Sequence, residues 1–269
     1  MAQIATETIG ADYSRVRVLP ADTRMVPDSG PTVASGTTIM SGNATRGASL
    51  QLRARLVALA ADMLECPGHE IVVTPDRYSH GDKELTFAEL CNEGFRRKLN
   101  LFASGWYAPP PKDWDIKTGQ GYAYVVYSFT GHAALVEVDL IGGLPKVLKV
   151  FATHDVGKSM NPALLEGQVH GGIVQGMGWG LSENLILEEG HCLNPGFTDY
   201  LIPCSLDMPE MDLRVIEDPY PDGPFGAKGI GEPSLISVPT AVAIAAANAV
   251  GARPDELPVT PEAILRWSL

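Results

Sequence analysis

Glu166-Gly-Gln-Val-His-Gly-Gly-Ile-Val-Gln-Gly-Met-Gly178 is the stretch on which the fold turns. It follows Asn161-Pro162, an Asn suited to cap a helix and a Pro suited to its first position. A helix is therefore expected from Asn161 onward. Yet it carries Gly167, Gly171, Gly172, Gly176 and Gly178. Each glycine inside a helix costs roughly 0.5–1 kcal/mol relative to alanine. Close approach of another backbone, or of a bulky ligand, would compensate. Gln168 and Gln175 stand seven apart, about two turns, and so share a side. Gln175, with no bulk beside it, suits a hydrogen bond to a buried polar ligand. His170 is a possible ligand too, but a lone helical His is more commonly packed or exposed, and it receives no role here.

Working outward, three strand-like runs precede this helix: Tyr122–Phe129, Ala133–Leu140 and Lys146–Thr153. A Gly-Gly turn separates the last two, which suggests an antiparallel meander. Further back, residues 104–120 read as a long irregular segment. Thr86-Phe-Ala-Glu89 resembles a capping box opening a helix to about Leu99. Glu70–Thr74 reads as a strand. Ala44–Leu64 reads as an amphipathic helix with Leu52, Leu56, Leu59, Ala60 and Met63 on its apolar side. Residues 26–43 read as a loop, Arg15–Leu19 as a strand and residues 2–9 as a helix. After the glycine-rich helix come strands at Asn184–Glu188 and Leu213–Glu217. A Pro/Gly-rich stretch over 218–233 leads to an Ala-rich helix from Pro239 to Val250. The sum is an α+β chain of mixed sheets packed with helices, taken as one piece over 1–269. It has room for two subdomains, with no linker clean enough to cut.

The bulk numbers narrow the function. The 269 residues carry a net charge of −12, which argues against a nucleic-acid surface built on clustered Lys and Arg. No apolar run reaches the roughly 18 residues of a membrane helix, and the N-terminus lacks a secretory pattern. Cys66, Cys91, Cys192 and Cys204 are far apart. They read as thiols of a reducing, cytoplasmic compartment rather than as ligands of an iron–sulfur cluster. A helix at residue 2 with no preceding cap segment suggests a chain that opens inside a larger architecture, as in a subunit split from a longer polypeptide.

Two more segments bear on chemistry. Pro31-Thr-Val-Ala-Ser-Gly-Thr-Thr38 is either an exposed loop or a cradle for a phosphate or other anion. Gly226-Ala-Lys-Gly-Ile-Gly-Glu-Pro233 frames one Lys and one Glu with glycines. Glu232 there is either a structural carboxylate near a helix start or a general base. No nucleophile elbow or triad spacing supports a hydrolase.

In order along the chain, these segments resemble the C-terminal half of the molybdopterin-binding subunit of the xanthine dehydrogenase/aldehyde oxidoreductase family. The likeness rests on Pro31–Gly42, on Asp155-Val-Gly with Asn161-Pro and Glu166–Gly178, and on Lys228-Gly-Ile-Gly-Glu-Pro233. Residues 64–120 match least. The resemblance implies a molybdenum hydroxylase that places a water-derived oxygen on an electron-poor carbon of an N-heterocycle such as a nicotinate or purine. Aldehyde or carbon monoxide oxidation is the alternative within the family, and a non-catalytic scaffold the alternative outside it. It implies molybdopterin, as such or as its cytosine dinucleotide, with molybdenum held by the pterin dithiolene and by no protein side chain. Glu232 matches the family's catalytic base. Ala34, Ser35, Gly36, Thr37, Gln175, Lys228, Gly229 and Gly231 match cofactor-binding positions. Glycines on the helix would let a flat cofactor approach, and Glu232 would project into a closed cleft. The family's earlier half has no counterpart here. A second molybdopterin-binding subunit is therefore implied as partner, with Fe-S and FAD subunits beyond it, and a small-molecule substrate.

Overall fold

The computed structural model describes residues 1–19, 22–26, 28, 30–111 and 113–269. The chain divides into two compact units, Met1–Val125 with Pro221–Ala227, and Val126–Tyr220 with Lys228–Leu269.

The first unit begins with α1 (Ala2–Ile9), closed by Gly10 in the left-handed conformation that glycine adopts without strain. Then comes α2 (Thr37–Leu64), 28 residues long. It starts seven residues before the expected Ala44, inside the segment read as a loop. In the run Thr37–Asn43 only the adjacent Ile39 and Met40 are large and apolar, so it carries no helical apolar stripe. Its helix is fixed by packing: a Cβ on Gly42 would lie 2.9 Å from Pro224 and 3.0 Å from Ile4. The strand expected at Arg15–Leu19 does not form; a 3-10 turn at Tyr13–Arg15 leads into irregular chain. β1 (Val72–Thr74), β2 (Arg77–His80) and β3 (Lys83–Thr86) form an antiparallel meander. α3 (Phe87–Arg96) opens on the full capping box of Thr86 and Glu89. Leu56, Leu59 and Ala60 of α2 meet Tyr78 and Leu90 in the core. The described residues of 104–120 are irregular except for the two-residue strands β4 (Trp114–Asp115) and β5 (Gln120–Gly121).

The second unit is a three-stranded sheet under helices. β6 (Thr130–Val138) pairs antiparallel with β7 (Pro145–Asp155). α4 (Pro162–Leu181) follows, capped by the Asn161 side chain on the Leu164 N–H at 3.0 Å. β8 (Leu187–Glu188) and β9 (His191–Cys192) make a small hairpin. β10 (Glu210–Ile216) then pairs parallel with β7, giving the order β10-β7-β6. The expected meander is thus corrected: residues 122–129 form no strand, and the third strand comes from across α4. Parallel neighbours need a long crossover, and local composition does not reveal such a partner. α5 (Val238–Asn248) and α6 (Pro261–Trp267) complete the unit. Val147, Val150 and Ala152 of the sheet pack against Val169, Ile173 and Met177 of α4 and Val238 and Val242 of α5.

Five of the six glycines of α4 divide between two faces, while Gly178 packs against Glu183 and Pro203. Gly172, Gly176 and Gly180, four apart, meet Ser234, Val238 and Val242, also four apart. A Cβ on Gly176 would sit 2.6 Å from the Val238 Cβ. These glycines let α4 and α5 touch, so for them the compensation is a neighbouring backbone and not a cofactor.

Candidate functional site

In the first unit, the segment ahead of α2 is a tight turn. The Gly36 N–H donates to the Val33 carbonyl at 3.0 Å. Its two central residues, Ala34 and Ser35, have φ of 53° and 52°. Left-handed backbone costs a non-glycine residue about 1–2 kcal/mol, and such strain gathers at functional sites. Gly36 then caps α2, with Thr37 as its first residue. Ala34 and Thr37 are exposed, while Ser35 and Gly36 are half-buried. The opening turn of a long helix presents N–H groups and the positive end of its dipole, a setting for anionic groups.

In the second unit, the other face of α4 is open. Leu164, Gly167, Gln168, Gly171, Gln175 and Trp179 are all exposed. A Cβ on Gly167 or Gly171 would meet nothing within 4 Å. This strip of bare backbone is flanked by two amides and ends on an indole. Gln168 and Gln175 share it, as their spacing predicts. His170 lies half-buried beside the strip, 3.9 Å from Glu166. A groove of about 470 Å³ elsewhere on the unit runs between the start of α4 (Pro162, Leu165, Glu166) and β10 (Met211, Leu213, Val215). Neither Gln175 nor Glu232 lines it.

The Lys228–Pro233 motif is anchored firmly. Lys228 is buried and its ammonium lies 2.6 Å from Asp155 and 3.4 Å from Asp218. Burial alone would pull its pKa down, but the bonds to Asp155 and then Asp218 outweigh burial and raise it, so it stays charged. The structure thus gives Lys228 carboxylate partners of its own chain. Its N–H donates to the Val156 carbonyl at 3.0 Å, and the Ser128 hydroxyl donates to the Gly229 carbonyl at 3.3 Å. Gly229 is buried and Gly231 half-buried. Glu232 opens a one-turn 3-10 helix, Glu232–Ser234, and its carbonyl accepts the Leu235 N–H at 3.0 Å. The Ser234 hydroxyl donates back to the Gly231 carbonyl at 2.6 Å. Glu232 itself is exposed, so the closed cleft expected around it is not formed by the described residues.

Sequence reasoning missed a buried polar chain in the same unit. Thr130 Oγ1 lies 3.0 Å from His154 Nδ1, His154 Nε2 lies 3.2 Å from His132 Nε2, and His132 Nδ1 lies 2.7 Å from Ser237 Oγ. His154 is fully buried. Burial, and then the neighbouring His132 ring, push the His154 pKa down to about 4; burial lowers that of His132 as well. Strand alternation was the available signal, since His154 shares the inward phase of Val150 and Ala152.

Strained turn, open glycine face and framed glutamate lie in the order along the chain that the resemblance requires. The family model for the molybdopterin cofactor-binding domain matches residues 1–209. The chain belongs to that molybdopterin-binding family. This molybdopterin-binding chain is 31% identical to the nicotine 6-hydroxylase large subunit of Paenarthrobacter nicotinovorans, over 99% of its own length and 33% of the relative's. It is 29% identical to the xanthine dehydrogenase molybdenum-binding subunit of Escherichia coli O157:H7, over 97% of this chain and 34% of that one. Among solved structures, quinoline 2-oxidoreductase from Pseudomonas putida 86 superposes with a TM-score of 0.82 at 30% identity, covering 99% of this chain and 34% of its own. The chain therefore spans about a third of the length of the relatives it matches. Both relatives align across nearly the whole chain, so the Glu232 segment, which lies beyond the family-model match, is aligned as well.

Proposed function

We propose that this chain is the C-terminal part of the catalytic unit of a molybdenum hydroxylase, with Glu232 as its base and an electron-poor N-heterocycle as its substrate. The observation that carries the reading is the open face of α4. Gly167 and Gly171 leave backbone uncovered where a flat ring system can lie, and Gln175 stands beside it with donors and an acceptor for the ring's polar edge. Taken by itself, the turn at Ala34–Thr37 of the first unit offers N–H groups to an anionic group. Bound on the open face of α4, molybdopterin would supply the two-electron redox chemistry and the acidified oxygen that hydroxylation needs.

This chain's residues do the rest. A Glu232 carboxylate oxygen accepts the proton released as the new carbon–oxygen bond forms. Gly229 and Gly231 keep side chains out of its way. The buried Lys228–Asp155 pair holds the segment's start, so Lys228 serves by fixing that segment more than by touching cofactor. Closure around Glu232 is supplied by further polypeptide, a second molybdopterin-binding subunit, with Fe-S and FAD subunits accepting the electrons. Relatives named for nicotine, xanthine and quinoline support the heterocycle reading, and others named for carbon monoxide and aldehydes keep the alternative within the family.

The test is Glu232→Gln in the assembled enzyme. The amide keeps the shape and removes the base, so turnover falls by about 10²–10⁴-fold with molybdenum content unchanged. Normal turnover at normal molybdenum content rejects the assignment.

A further inference from the structure

The segment between Lys228 and Ser237 contains Gly229 and Gly231, and glycine-rich chain is free to wander. A base displaced by about 1 Å costs on the order of 10²-fold in rate, so something must hold this segment. Two consecutive residues at the end of β7 are tied to its two ends. Asp155 binds the Lys228 ammonium at 2.6 Å with one carboxylate oxygen, and its other oxygen accepts the Gly157 N–H at 3.0 Å. The carboxylate is therefore fixed on both sides. His154 reaches the far end through His132, whose Nδ1 lies 2.7 Å from the Ser237 hydroxyl. Ser237 immediately precedes α5, and its carbonyl accepts the Ala241 N–H at 3.1 Å.

We propose that the end of β7 is a two-point clamp on the Glu232 segment, with Asp155 and Lys228 holding one end and His154, His132 and Ser237 the other. The catalytic consequence rests on the reading of Glu232 as the base. The two rings share a nitrogen–nitrogen contact of 3.2 Å, which requires one ring to donate and the other to accept. Each ring's second nitrogen is bonded to a hydroxyl, so the four groups take one sense of donation together. This locks both ring orientations and, through them, the Ser237 rotamer. Pinning both ends closes the intervening eight residues into a short loop with few accessible shapes. Lys228, His132 and Ser237 are accordingly positioning residues.

The test compares Ser237→Ala, His132→Leu and His132→Asn in the enzyme purified with its native partner chains. Amide hydrogen exchange of peptides within 229–236 is followed beside molybdenum content, KM and kcat. In Ser237→Ala and His132→Leu, exchange there rises by about tenfold or more while that of α4 is unchanged. Their kcat falls by about 10-fold or more at unchanged KM and molybdenum content. His132→Asn, whose amide can take the place of Nδ1, restores both. Lys228→Met releases the other end but leaves Asp155 unpaired, so the Ser237 and His132 variants decide. Unchanged exchange in both Ser237→Ala and His132→Leu overturns the clamp. So does raised exchange with normal kcat while Glu232→Gln is inactive. Raised exchange with normal turnover in every variant, Glu232→Gln included, leaves the clamp standing and rejects the base.

Discussion

At the scale of single residues, strain and burial mark the places where local preference was overruled. Ala34 and Ser35 keep left-handed backbone without being glycine. Ala34→Gly should relieve more strain than it adds in unfolded-chain entropy, stabilising the fold by about 0.5–1 kcal/mol. Chemical denaturation checks this, and a loss of stability would show that the alanine methyl is needed. His154 makes a second prediction. In the unfolded chain a His takes up its proton near pH 6.5, but the buried ring resists it down to about 4. The unfolded state therefore binds more protons within this window, and stability falls as pH drops from 6.5 towards 4. Urea midpoints at pH 7 and pH 5 should differ, and less so in His154→Phe. Residue types were readable here, but their surroundings were not. Glu232 was singled out by its glycine frame and the family resemblance, whereas the partners of Lys228 lie ten and seventy-three residues away and leave no local trace.

At the scale of elements, α4 has two glycine faces with opposite expected responses. Gly176→Val would drive a side chain into Val238 and should cost about 1–3 kcal/mol or more by overpacking. Gly171→Ala meets open space and should stabilise the unliganded fold by about 0.5–1 kcal/mol, seen as a raised Tm. The helix was legible because its Asn-Pro start and length are local signals. Which glycine served α5 and which lay open was not, because that depends on a partner helix sixty residues later. The start of α2 was missed for the same reason: its small residues pack against distant chain rather than forming a stripe. Residues 122–129 have strand composition, yet β7 takes its second neighbour from Glu210–Ile216. A strand is defined by its partner, and composition names none.

At the scale of the whole molecule, much apolar side chain faces outward. Trp106, Ile116, Ile141 and Leu206 are each more than four-fifths exposed. Among the described residues, no helix is long and apolar enough to cross a membrane. Exposed apolar side chains of this kind are candidates for contact with other polypeptide. On the assembly proposed above, binding of a hydrophobic dye should drop when the complex forms. The central claim, that the open face of α4 receives molybdopterin, is tested most directly by assaying molybdenum and pterin per mole of protein. The purified assembly of wild type is compared with that of Gly171→Leu. Wild type should carry both in equal amounts, and the leucine, whose Cβ meets nothing within 4 Å at this exposed position, should abolish them while the fold persists. A full complement of both in Gly171→Leu, or none in wild type, would contradict the account.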